Sequence, residues 1–213
     1  SQMMGPMMLG MTTGSMVGNL ARTALGGYSL PVPRPAGAPL LVLLRNLDEF
    51  GADWSLDKAD LRLWVCLHEV THHAVINVPH VRERLTDLLQ RHAGSFEQDP
   101  ESIGSAFGDV DLSAGPEALA ELQNKLGDPD TVLGAVRSAA QETLQPELTA
   151  LIAAITGYVD HVMDQTGGPL IGSYGMLTEA LRRRRVEATA SDRFVERILG
   201  LELDRSQYDR GTA

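Results

Sequence analysis

The alternation of apolar and polar positions predicts a mostly helical chain. Residues 6–26 read as a Gly- and Met-rich helix that stops at Gly26-Gly27. Four prolines, Pro31, Pro33, Pro35 and Pro39, then keep the chain irregular to residue 39. Leu40-Leu41-Val42-Leu43-Leu44, a short apolar run between Pro39 and Asn46, is the best strand candidate. Ser55 is placed to cap a helix that carries Asp57 in its first turn and runs to about Ile76. Pro79 opens another helix, to about His92. Thr131 to Gln165 reads as helix with a break near Pro146, ended by Gly167-Gly168-Pro169. Two further helices are expected, from Tyr174 to about Thr189 and from Ser191 to about Leu199. No internal repeat is visible, and one domain over residues 1–213 accommodates the whole pattern.

Charge changes this picture in one place. Between Glu97 and Asp130 there are nine carboxylates against the single Lys125, so this stretch holds eight of the ten net negative charges. Residues 94–130 are therefore expected to form a solvated acidic arm. The net charge of -10 argues against nucleic acid or an anionic membrane as the main partner. Aromatic residues at 5% are too few for a base-stacking platform, and the lone Cys66 excludes a disulfide scaffold. Residues 3–20 carry no charge, but their polar residues and glycines make them a poor membrane span. Gly10, Gly14 and Gly18 recur every four residues, a face that invites close helix packing, including in an oligomer. The chain opens at Ser1, as expected of a processed or truncated product. With a lone thiol and no visible export signal, a cytoplasmic location is expected.

The chemistry is concentrated in His68-Glu69-Val70-Thr71-His72. On a helix, positions i and i+4 lie one turn apart on one face, so both imidazoles can reach one cation. Glu69, one residue round, can take a proton from water held there and is badly placed as a ligand. The helix looks apolar on nearly every side through Leu61, Trp64, Val65, Leu67, Val70, Val75 and Ile76, which predicts burial. Buried imidazoles and a carboxylate need partners, and a zinc ion is an efficient one. A third ligand is sought on the helix around 147–165, where Leu151, Ile152, Ile155, Tyr158, Val159 and Val162 share a face edged by Thr156, Asp160 and Asp164. Asp160 is the first choice, with Asp164 and His161 as alternatives; Asp160 would otherwise orient His68 or His72 from outside the ligand set. His73 faces away from the pair, His80 and His92 read as surface residues, and Cys66 reads as a buried thiol. Tyr158, His161, Tyr174 and Tyr208 are all open as stabilisers of a developing oxyanion. The run Arg182 to Arg185 points in four directions and reads as solvated or ion-paired.

The run Leu63 to His73 resembles a bacterial family of zincin-like metallopeptidases, common in actinobacteria, whose members are described as zinc-dependent metalloproteases or hydrolases. One branch is labelled "coenzyme F420 biosynthesis associated". The likeness extends to Leu25-Gly26-Gly27-Tyr28, Arg45-Asn46-Leu47, Gly157 to Asp164 and the tail from Leu199 to Gly211. It implies an α+β, mostly helical fold in which the active-site helix lies beside a very small β-sheet within a helical bundle. It also implies one zinc ion per chain and hydrolysis of a peptide or other amide bond. One position departs from the zincin pattern. Where a Glu-x-x-x-Asp run would supply a third ligand, this chain has Thr156-Gly157-Tyr158-Val159-Asp160, and a neutral hydroxyl is a poor zinc ligand. The alternative is a non-catalytic zincin-like scaffold with an empty or structural metal site.

Overall fold

The computed structural model describes residues 14, 18, 20–95, 138–186, 196 and 199–201. Its helices are α1 (Leu44–Asp53), α2 (Lys58–Ile76), α3 (Pro79–Gly94), α4 (Ala139–Leu170) and α5 (Tyr174–Val186). Residues 20–23 are also helical. Helix α2 is the centre of the bundle: it packs against each of the other four, most extensively against α4, which also packs on α3 and α5. The mostly helical character expected from the pattern is what the structure has.

Local chemistry explains the boundaries, including those that differ from expectation. The Leu40–Leu44 run does not form a strand of a sheet. Among the described residues there is an isolated antiparallel bridge between Gly26 and Val42, flanked by bonds from Gly27 N–H to Leu41 O and from Leu43 N–H to Leu25 O. Leu44 instead starts α1, because Leu47, Phe50 and Gly51 give the following residues a helical buried face. Ser55 is not the cap of α2. It sits at φ 53° in the turn that closes α1, where Leu56 N–H bonds back to Gly51 O at 2.9 Å. Asp57 caps α2, accepting from the N–H groups of Ala59 and Asp60, both at 2.9 Å.

Helix α4 begins with a reciprocal cap between Ser138 and Gln141. It then runs through Pro146 and through Gly167-Gly168-Pro169, rather than breaking at either. Pro146 lies on the solvent side, between the buried Leu144 and Leu148, which hold the helix together across the lost N–H. Gly167 is not a stop signal but a close approach: a Cβ there would lie 2.6 Å from Cε2 of Tyr174. Residues 131–137, most of the acidic arm, residues 187–195 and most of the Gly-rich start lie outside the described residues. Gly14 and Gly18 are helical, and a Cβ on either would meet nothing within 4 Å. Among the described residues no helix is long and apolar enough to cross a membrane.

Among the described residues two apolar clusters form the core, and three of the places where the chain passes from one to the other bear on the motif. Leu25 belongs to the first and Tyr28 to the second, with Gly26-Gly27 between. On α2, Leu61, Trp64 and Val65 belong to the first and Ile76 to the second, with the His68–His72 motif between. On α4, Ile155 belongs to the second and Val159 and Met163 to the first, with Thr156-Gly157 between. The motif therefore lies at a polar level between two apolar clusters. Glu69, Thr71, His72 and Thr156 are all buried there.

Candidate metal centre

Helix α2 brings His68 and His72 side by side, with ring centroids 4.3 Å apart. His72 Nδ1 lies 3.3 Å from the His68 carbonyl, so it donates there and the imidazole lone pair is on Nε2. Trp64 stacks on the His68 ring at 4.8 Å, and Tyr28 stacks on the His72 ring at 5.8 Å. Glu69 is 2% exposed. Its carboxylate accepts from Gly27 N–H at 2.8 Å and from Tyr28 N–H at 3.0 and 3.1 Å to its two oxygens. Burial pushes the Glu69 carboxyl above its ordinary pKa; the N–H groups of Tyr28 and Gly27 and the charge of Arg34 oppose this without cancelling it.

This contact explains the glycine pair. A Cβ at Gly26 would lie 2.3 Å from Glu69 Oε1, and one at Gly27 would lie 1.8 Å from Arg34 Nη1. The sequence pattern marks Gly26-Gly27 as a helix end and gives Tyr28 and Arg34 no place in the site. A paired glycine can equally mark a close approach of backbone to a side chain, and that is its role here.

The other expected residues are placed as follows. His73 is half-buried beside the pair, with Nδ1 3.0 Å from the Tyr28 hydroxyl. Asp160 is half-buried on α4, and its charge is felt at Tyr174. Asp164 accepts from the Tyr174 hydroxyl at 2.8 Å, and His161 is exposed. Burial and then this bond to Asp164 raise the Tyr174 pKa, so the phenol stays protonated. Among the described residues no three His, Cys, Asp or Glu side chains gather closely enough to hold a metal ion. The structure thus brings His68 and His72 together, with Glu69 beside them, and does not bring Asp160, Asp164 or His161 to them as a triad.

Three expectations are overturned by packing. Cys66 is exposed, with Leu63 and Val70, because α2 is covered by neighbours on its other sides. Tyr158 is 59% exposed rather than on the buried face of α4. His92 is 4% exposed, packed where a Cβ on Gly200 would come 3.0 Å from its Nε2. Of the arginine run, Arg182 and Arg183 pair with Glu179 as expected, whereas Arg184 bonds to Thr23 O and lies 5.0 Å over the Phe50 ring; the side chain of Arg185 lies outside the described residues.

Comparison with known proteins places this geometry. The model of a family described as zincin-like metallopeptidase matches residues 1–213. The chain belongs to the zincin-like metallopeptidase family. Among solved structures it is similar to one from Chloroflexus aurantiacus described as "a putative hydrolase with a novel fold". The TM-score is 0.60 at 24% identity, covering 93% of this chain and 53% of that one, so this chain spans about half of that protein's length. That likeness shows a shared fold. No curated protein matches the chain.

Membership in the zincin-like family implies a metal and a metallohydrolase as the general class. The residues fit that implication in part. Two adjacent imidazoles, one with its lone pair set on Nε2 by a bond to the helix carbonyl, are the donors that zinc takes from such a motif. They make up half of a four-coordinate set.

Proposed function

We propose that this zincin-like protein is a zinc-dependent hydrolase acting on a peptide or other amide bond. In this reading His68 and His72 hold the metal, one ion per chain, and Glu69 is the catalytic base. The observation that carries it is the pair of imidazoles at 4.3 Å with the buried Glu69 on the next position of the same helix. A zinc ion, when bound, polarises a carbonyl and lowers the pKa of water towards neutrality. The protein's own share is positional. Helix α2 holds the two imidazoles in register, and the stacked rings of Trp64 and Tyr28 restrict their rotation. Gly27 and Tyr28 fix the Glu69 carboxylate, whose raised pKa suits a group that must take up a proton during turnover.

Asp160 is our candidate for the third ligand, ahead of Asp164 and His161. It would join His68 and His72 through a rearrangement of the described side chains, since no triad is assembled among them. That same observation favours a second reading, a non-catalytic zincin-like scaffold. A cytoplasmic setting remains part of the proposal, resting on the lone Cys66 thiol. The discriminating experiment is Glu69→Gln, with zinc content and turnover of a peptide library measured on the same samples. The hydrolase reading expects zinc retained and turnover abolished. A wild-type protein that holds zinc but cleaves nothing in the library would favour the scaffold.

A further inference from the structure

The Gly26–Tyr28 segment touches the motif in more ways than packing requires. Resting on the metal reading above, we propose that this segment is the positioning element of the centre, with Tyr28 as the residue that sets the orientation of His72. Tyr28 is 2% exposed and meets two motif residues and the adjacent His73 through three different groups. Its N–H donates to Glu69, its ring stacks on His72 with 17° between planes, and its hydroxyl bonds to His73.

A network of hydrogen bonds ties Tyr28 to its surroundings. Asn77 Nδ2 donates to His73 O at 2.8 Å, and Asn77 Oδ1 accepts from Arg82 Nη1 at 2.6 Å, which fixes the amide orientation. The Tyr28 hydroxyl and Asn77 Nδ2 lie 3.0 and 3.1 Å from His73 Nδ1, which can form a full hydrogen bond with only one of them, and the direction of the Tyr28–His73 bond follows the His73 tautomer. Arg82 Nη2 in turn donates to Arg34 O at 2.6 Å, and the Arg34 guanidinium lies 5.8 Å over the Tyr28 ring. The circuit Tyr28–His73–Asn77–Arg82–Arg34 therefore closes on itself and leaves the Tyr28 ring little freedom. The glycines before it let the backbone reach Glu69, since a side chain at either would collide with Glu69 or Arg34. Partners that orient a ligating histidine from outside the ligand set typically contribute a factor of about 10–100 to metal affinity.

The test compares Tyr28→Phe, which keeps the ring, with Tyr28→Leu, which removes it. Thermal melts report folding. Imidazole 15N resonances of the metal-free protein at fixed pH report the histidines directly, and Co2+ titration followed by visible absorption reports the centre. We expect Tyr28→Phe to move the His73 signals and leave Co2+ affinity within about threefold. Tyr28→Leu should move the His72 signals as well, weaken Co2+ binding at least about tenfold and alter the visible band. A folded Tyr28→Leu protein with unchanged His72 signals and unchanged Co2+ affinity overturns the proposal. If Tyr28→Leu does not fold, unmoved His73 signals in Tyr28→Phe overturn it instead. Failure of the wild-type protein to take up Co2+ counts against the metal reading; the positioning role is then judged on the metal-free His72 signals in Tyr28→Leu.

Discussion

Gly26→Ala probes the contact on which the site's arrangement depends. An added Cβ would lie 2.3 Å from Glu69 Oε1, 2.5 Å from its Cδ and 2.9 Å from its Cγ. Glu69 cannot swing aside without cost, because its carboxylate is buried and held by the N–H groups of Gly27 and Tyr28. Hydrogen bonds to a charged group contribute about 1.5–3 kcal/mol each. Losing or badly distorting these two, with partial relaxation, should destabilise the fold by about 3 kcal/mol. Backbone strain adds nothing, since Gly26 is not one of the positive-φ glycines, which among the described residues are Gly37 and Gly200. In a Glu69→Ala background the collision is gone, and Gly26→Ala should be neutral or stabilising by a few tenths of a kcal/mol as it restricts the unfolded chain. Urea unfolding of the four proteins gives the coupling energy, expected near 3 kcal/mol. Additivity within about 0.5 kcal/mol would refute the claim that Glu69 is seated against Gly26.

Other consequences can be checked independently. Asp60 accepts from the Ser173 hydroxyl at 2.6 Å and from its N–H at 2.8 Å, which hold its carboxyl below the usual range. A depressed native pKa stabilises the fold above the ordinary carboxylate pKa and loses that effect as pH falls through the native value. Asp60→Asn should therefore flatten the acid limb of the stability curve; an unchanged slope would contradict this. Asp160→Ala should lower zinc affinity sharply if Asp160 binds the metal, whereas a loss of only about tenfold would place it behind the ligands. Because Cys66 is exposed, a thiol reagent should modify the folded protein at the rate of an accessible cysteine, and protection until unfolding would contradict the packing of α2.

What could be read from the sequence was what depends on local spacing. The His68/His72 pair follows from helical geometry alone, and the α3 boundaries follow from Pro79 and the apolar period. What could not be read depends on neighbours distant in the chain. The burial of Glu69 against Gly27 and Tyr28 spans about forty positions, and no local pattern announces it. Gly167-Gly168-Pro169 looks like a helix stop until Tyr174 is seen packed on Gly167. The Leu40–Leu44 run has strand composition, but it meets a single bridge partner at Gly26, so α1 claims Leu44. Cys66 and Val70 sit on an apolar helix that exposes one side, a matter of how many helices surround it rather than of its own residues.

The central claim is that His68 and His72 hold a metal. Its most direct test is metal content per chain after purification without chelator or a metal-binding tag, alongside His72→Ala. The account predicts about one zinc per chain in the wild-type protein, consistent with a site of this kind, and its loss in the variant. No zinc even after reconstitution, or zinc retained in His72→Ala, would contradict it.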